Sequence, residues 1–466
     1  MISVRGREVE YSFDLLFLRV TCVKTSPMEM KEYLQYEFAS KAPSLFEHGL
    51  MRKNTNSVLG GLIKGSVGYE SYHKSPKELY VIDGGKFIKS GPWCESGTYN
   101  EICDEYIKYA NKIYNPNSKF IMDGYDDINS IKKSEQARRI KGNVARNIVF
   151  TGETGISKFT KTEFLNNENN KKNFTKLLSS KLRTAGYEVT ECVGDADYYI
   201  AEAALSLSAT TEHQVIIDAA DTDIIAMLVS GDHARENLVL QSLQKRYRIS
   251  EIKSQLTQNI VDHILVTHAI SGCDGTSALY NKAKKTTFKA VNNEGDMTFL
   301  NAFKSKDSTH GEIRVAGERF MLMIYSAPAS VKSLDDLRYI RYKQQVAKKS
   351  LTAGTGFDLK SLPPTCDAGK YHSFRTYYQV QKYLGNTEIC PLEWGWTRDE
   401  KSGHLIPIVK DQAAAPEKVL VMISCGCKQG CSWNCKCKNA GLECTVLCSG
   451  CNGRDCLNSG TDESSS

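Results

Sequence analysis

Three short apolar runs, each finishing in aspartate, constrain this 466-residue chain more than any other feature. They are Leu79–Asp83 (LYVID), Lys119–Asp123 (KFIMD) and Gln214–Ala220 (QVIIDAA), the last emptying into Asp221 and Asp223. Runs this short, rich in β-branched and apolar residues, mark strands covered on both faces, as in a parallel sheet with crossover helices. The segments between them suit that role. Tyr99–Ile113 sets Ile102, Tyr106, Tyr109 and Ile113 at helical spacing, and ADYYIAEAAL (196–205) is helix-compatible. Ligands of such sheets gather at the carboxyl ends of the strands, where these aspartates fall.

A second acidic pair, Asp195 and Asp197 in GDAD, opens the helix before the third strand. Taken singly, an aspartate here is a helix cap or a turn residue. Taken together on one sheet edge, the carboxylates would repel one another and lose hydration unless a cation sat among them. Hard oxygen ligands favour magnesium or manganese. Asp274, in SGCD after the apolar helix Ile260–Ile270, is a further acid that ordinary helix-stop chemistry also explains. Between Asp123 and Asp195 runs a basic passage that includes Lys132, Lys133, Arg138 and Arg139. It is either a solvated helix face or, beside a carboxylate metal site, a surface that neutralises phosphates. The net charge of +6 permits a polyanionic partner without demanding one.

The chain carries no apolar run long enough to span a bilayer, and charges are scattered where a signal peptide needs an apolar core, so a soluble intracellular protein with no membrane partner is expected. Of its 16 cysteines, nine crowd into one stretch: Cys425, Cys427, Cys431, Cys435, Cys437, Cys444, Cys448, Cys451 and Cys456. Six terminal thiolates and three shared ones would supply twelve zinc–sulfur bonds, four for each of three zinc ions. Four disulfides with a leftover thiol are the alternative, disfavoured inside a cell. Lys428, Lys436, Lys438 and Arg454 give the segment a positive surface, suited to DNA or to protein docking. Further along, Phe320–Tyr342 reads as one helix with Arg338, Arg341 and Lys343 on its polar side, and His372–Leu384 as a short amphipathic helix. Lys282, Lys284, Lys285 and Lys289 form another cationic group.

In this order the acids resemble the PIN-like, flap-endonuclease superfamily of structure-specific nucleases. Asp83 in VIDGG resembles that family's first-strand acid, Asp123 in IMDG its second, and GDADYYIAEA its GEAEA helix. DAADTDIIAML resembles the EDxD strand, and SGCD the acid before the DNA-binding hairpin. The likeness spans about 76–300 and implies that Lys132, Lys133, Arg138 and Arg139 belong to a substrate-gateway helix. Asp195 and Asp197 stand where the family has glutamates, and NKAKK (281–285) lacks the hairpin glycines. The cysteine segment resembles the CXC domain of tesmin-like DNA-binding proteins and the zinc cluster preceding many histone-methyltransferase domains, with Asn434 where CXC domains place a DNA-contacting tyrosine. The whole arrangement, with LPPT (362–365), HSFR (372–375) and WGW (394–396), is similar to an uncharacterised mobile-element-associated animal family whose members are longer at the N-terminus.

The expectation is therefore an α/β chain with a PIN-like, mainly parallel central sheet flanked by helices, a helical extension and a small C-terminal zinc-cluster domain. Its divisions are an N-terminal extension at 1–75, the nuclease-like domain at 76–345, a helical subdomain and linker at 346–418, the zinc cluster at 419–458 and a disordered tail at 459–466. Asp83, Asp123, Asp195, Asp197, Asp221, Asp223 and Asp274 would hold two magnesium or manganese ions, with the four cations on the phosphate. The partner would be nucleic acid, DNA ahead of RNA, with chromatin proteins in the nucleus. A catalytically inactive nucleic-acid-binding relic of a mobile-element nuclease stays open as the alternative. A Toprim-like site would need a strand-terminal glutamate upstream, and aspartate fills each such place.

Overall fold

The computed structural model describes residues 2–4, 7–9, 17, 26–54, 70–71, 75–124, 131, 144–156, 158–231, 235–242, 245–293, 295–349 and 358–416. Between 425 and 459 it describes all but 428–429, 433, 440–442, 446–447 and 455. Lys132, Lys133, Arg138 and Arg139 lie outside the described residues, as does the tail beyond Ser459.

The three aspartate-tipped runs become neighbouring strands of a seven-stranded sheet. Its members are β1 (Glu70–Ser71), β2 (Glu78–Asp83), β3 (Lys119–Met122), β4 (Glu188–Glu191), β5 (Gln214–Asp218), β6 (Leu238–Ser242) and β7 (Lys245–Arg248), in the order β1-β7-β6-β5-β2-β3-β4. Strands β2 to β6 pair in parallel, while β7 turns back antiparallel to β6 and holds β1 at the edge. The expected mainly parallel sheet is thus observed. The chain steps outward from β2 through β3 to β4, then returns to lay β5 against the other side of β2. That reversal opens a crevice at the carboxyl ends of β2 and β5.

Side chains alternate between two cores, as period-two strands require. Tyr80, Ile82, Phe120, Met122, Ile216 and Val239 enter one, against α2 (Tyr99–Ile113) and α3 (Glu168–Thr184). Val81, Ile121, Val215, Ile217, Leu238 and Leu240 enter the other. This second core holds α4 (Asp197–Thr210), α5 (Thr222–Val229) and α6 (Gln258–Ile270). Both faces are covered, which is why the strands read as near-continuous apolar runs. The start of α2 was written locally: Thr98 and Glu101 form a reciprocal capping box.

Two helical expectations need correction. Phe320–Tyr342 is not one helix but parts of α8 (His310–Ile324) and α9 (Leu334–Lys349). The break falls where Ser326 takes a left-handed φ of 51° and Pro328 removes a backbone donor. Arg338, expected on the polar side, is 1% exposed and bonds the Leu34 and Pro363 carbonyls while facing Glu37. His372–Leu384 is the later part of a longer helix, α10 (Cys366–Tyr383), whose start is capped by Thr365. This helix packs against α6 and α8, and Tyr377, Trp394 and Trp396 join the same core. Among the described residues, no helix is long and apolar enough to cross a membrane.

Candidate functional site

Strand ends carry the first two acids. Asp83 closes β2 and caps α1 (Gly84–Ser90), accepting a hydrogen bond from the Lys86 amide at 3.0 Å. Asp123 follows β3, and its Oδ1 accepts from the Ala196 amide at 3.2 Å. The two carboxylates meet over Gly85, where a Cβ would stand 3.2 Å from Asp83 Oδ1 and 3.2 Å from Asp123 Oδ2. The Asp123 loop is docked onto the GDAD loop: the Gly124 amide donates to the Gly194 carbonyl at 2.7 Å. Gly124 permits this approach, since a Cβ there would fall 2.0 Å from the Cys192 carbonyl oxygen.

The remaining acids ride on two helix starts. Asp195 Oδ1 accepts from the Asp197 amide at 3.3 Å, and Asp197 begins α4. Asp221 caps α5 through the Asp223 amide at 3.0 Å. Carboxylate oxygens of Asp197, Asp221 and Asp223 all lie within 4.8 Å of one another. Asp195, Asp197, Asp223 and Asp274 share the wall of one cavity. Burial and then the neighbouring Asp123, Asp195 and Asp197 push the Cys192 thiol up to about 12. Asp197, Asp221 and Asp223 therefore meet directly, Asp123 is tied to their loop, Asp83 faces Asp123, and Asp195 and Asp274 flank the group. Three hard oxygen donors this close fit magnesium or manganese.

Behind the acids stands a buried polar chain that a linear reading did not find. His268 Nε2 lies 2.7 Å from Asp223 Oδ1, and the Tyr383 hydroxyl donates to Asp223 Oδ2 at 2.6 Å. Lys284 Nζ approaches His268 Nδ1 at 2.8 Å and the His268 carbonyl at 3.2 Å. An ammonium has only protons to offer, so Nδ1 accepts from it and Nε2–H donates to Asp223. The imidazole is consequently neutral, in keeping with burial and the adjacent Lys284 lowering its pKa. Burial alone would raise the Asp223 carboxyl, but His268, Tyr383 and Lys284 outweigh it and hold the group well below the usual carboxylate range. Lys284 is no surface cation: it is 1% exposed, and burial brings its ammonium down to about 8. His268 looks from sequence like any interior residue of α6, and Tyr383 comes from α10, 160 residues beyond Asp223. Asp218, at the end of β5, stands apart from the group, paired with Lys86 and accepting from the Tyr114 hydroxyl at 2.5 Å.

The cysteine segment gathers its thiols without bonding them. None of its nine cysteines forms a disulfide, and Sγ–Sγ separations of 3.6 Å (Cys425–Cys431), 3.8 Å (Cys425–Cys444), 3.6 Å (Cys435–Cys444) and 3.5 Å (Cys437–Cys448) recur. A tetrahedral zinc with bonds of about 2.3 Å has sulfur–sulfur edges of about 3.8 Å. Three overlapping tetrads have all their Sγ atoms within 4.8 Å of one another: Cys425, Cys431, Cys444 and Cys451; Cys425, Cys435, Cys437 and Cys444; and Cys425, Cys427, Cys431 and Cys435. Sharing of this kind is what a polynuclear thiolate cluster needs. Cys448 enters through Cys437, and Cys456 packs against the group.

No family model matches the chain, and no curated protein matches it. Among solved structures, a lysine-to-alanine mutant of the T5 5′-exonuclease is similar over 66% of this chain and 97% of its own, at 11% identity and a TM-score of 0.31. The catalytic core of Rad2 in complex with DNA substrate is similar over 71% of this chain and 94% of its own, at 10% identity and a TM-score of 0.33.

Proposed function

We propose that the chain is a divalent-metal-dependent nuclease that hydrolyses phosphodiester bonds in structured DNA, ahead of RNA, within the nucleus. The observation that carries this reading is the meeting of Asp197, Asp221 and Asp223 within 4.8 Å at the crevice of a parallel sheet, with Asp123 fastened to the same loop. Two magnesium or manganese ions held there would supply an activated water and offset charge on the leaving oxygen. The protein's own part is to orient the ligands. Asp223 is pinned at both oxygens by His268 and Tyr383, so its carboxylate needs no rearrangement to receive a cation. Asp83, Asp195 and Asp274 extend the acidic rim, and Lys132, Lys133, Arg138 and Arg139 would neutralise the phosphate that faces it. The thiolate module would carry three zinc ions and dock the enzyme to nucleic acid or to a chromatin protein.

The test is cleavage of labelled flap, single-stranded, duplex and RNA substrates in magnesium or manganese, beside an Asp221→Asn, Asp223→Asn double variant. Cutting by the parent and none by the variant is expected. Binding without cutting by the parent in either metal would replace this reading with that of a nonenzymatic binder.

A further inference from the structure

The cavity beside the carboxylates has a second wall that the acidic site does not use. About 200 Å³ in volume, it is lined by Tyr198, Tyr199, Tyr378, Gln379 and Lys382 as well as by Asp195, Asp197 and Asp223. Tyr198 and Tyr199 open α4 directly after Asp197, half-buried with ring centroids 5.5 Å apart. Tyr378, Gln379 and Lys382 come from the last turns of α10. Two bare backbones shape the wall. A Cβ on Gly385, whose φ is +83°, would strike the Tyr198 hydroxyl at 2.4 Å, and one on Gly275 would strike Gln379 Oε1 at 2.2 Å. The carboxamide is thus seated over Gly275, the neighbour of Asp274. Val193, 78% exposed, stands at the rim.

Aromatic faces, one carboxamide offering a donor and an acceptor, and one ammonium suit a flat, amphipathic ring with a hydrogen-bonding edge and a phosphate attached. We propose that this cavity is a nucleobase pocket, which receives the base of an unpaired nucleotide adjoining the phosphodiester held at the carboxylates. The inference rests on the nuclease reading and narrows it. A base seated among Tyr198, Tyr199 and Tyr378 cannot remain stacked in a duplex, so the nucleotide beside the cut must be single-stranded, or extruded at an energetic cost. Lys382 meets its phosphate, and Gln379 meets the base edge.

The test walks one abasic residue along a labelled single-stranded DNA and measures kcat/KM in manganese at each position. One position next to the cut should lower kcat/KM by about 5- to 150-fold, the worth of one stacked base. That penalty should vanish in Tyr199→Ala, whose side chain is only half-buried, and persist in Tyr199→Phe, which keeps the ring. In parallel, 2-aminopurine replaces the base at each position, and quenching of its fluorescence is read in calcium without turnover. Quenching at one position, lost in Tyr199→Ala and kept in Tyr199→Phe, supports the pocket even if the protein never cuts, in which case the nuclease reading alone falls. Cutting with no abasic-sensitive position, or with a penalty equal in Tyr199→Ala, overturns the pocket and leaves the nuclease. Neither cutting nor quenching overturns both.

Discussion

Replacing Tyr383 by phenylalanine removes one oxygen from the chain that supports Asp223 and leaves the ring in its core. The hydroxyl sits 2.6 Å from Asp223 Oδ2, and both residues are 6% exposed. A hydrogen bond to a charged group contributes about 1.5–3 kcal/mol, and Tyr383→Phe should cost that much at pH 7. The same loss moves the Asp223 carboxyl up toward the usual carboxylate range. The sign of the pH dependence follows. In the folded parent this carboxyl lies below its unfolded value, so its stabilisation is present above the unfolded pKa of about 3.9 and is lost as pH falls through the folded one. The gap between parent and variant should be full at pH 7 and narrow below about pH 4. Urea unfolding without added divalent ions, followed by the fluorescence of Trp394 and Trp396 in the same core, measures it. Equal midpoints at pH 7, or a gap that widens on acidification, would refute the hydrogen-bond assignment.

Asp197→Asn combined with Asp221→Asn removes two of three mutually close carboxylates, so without divalent ions the variant should melt at or above the parent. Manganese at a hundred times its dissociation constant should stabilise the parent by about 2.7 kcal/mol and leave the variant unmoved, as read by thermal melting. Elemental analysis should find three zinc ions per chain, with Cys425→Ser, common to all three thiol tetrads, losing more metal than Cys456→Ser. Gly124→Ala drives a methyl into the Cys192 carbonyl and should destabilise by about 1–3 kcal/mol. Because it pries the Asp123 loop from the GDAD loop, cleavage should fall further than the folded fraction does.

Local signals made much of this molecule legible. Aspartate-tipped apolar runs revealed β2, β3 and β5 because both faces of those strands are covered, and the helical spacing of Ile102, Tyr106, Tyr109 and Ile113 revealed α2. Cysteine spacing revealed the thiolate group because its ligands are near neighbours in the chain. What escaped depends on distance and burial. Strand β4 is polar and half-exposed, so EVTE shows no apolar run. His268, Lys284 and Tyr383 join the site only once α6, α7 (Lys284–Asn293) and α10 pack, and nothing in a linear string separates a buried lysine from the exposed ones beside it. Arg338 was misplaced for the same reason. The break between α8 and α9 was visible in Pro328, and apolar periodicity on both sides of it obscured the stop.

Metal-dependent catalysis at the carboxylates is tested by single-turnover cleavage of a labelled single-stranded DNA as manganese is titrated, in the parent and in Asp197→Asn. A rate that rises and saturates with manganese in the parent, and falls by orders of magnitude in the variant, is the predicted result. A protein that binds the DNA but leaves it intact at every manganese concentration, or a variant that cuts as fast as the parent, would contradict the account.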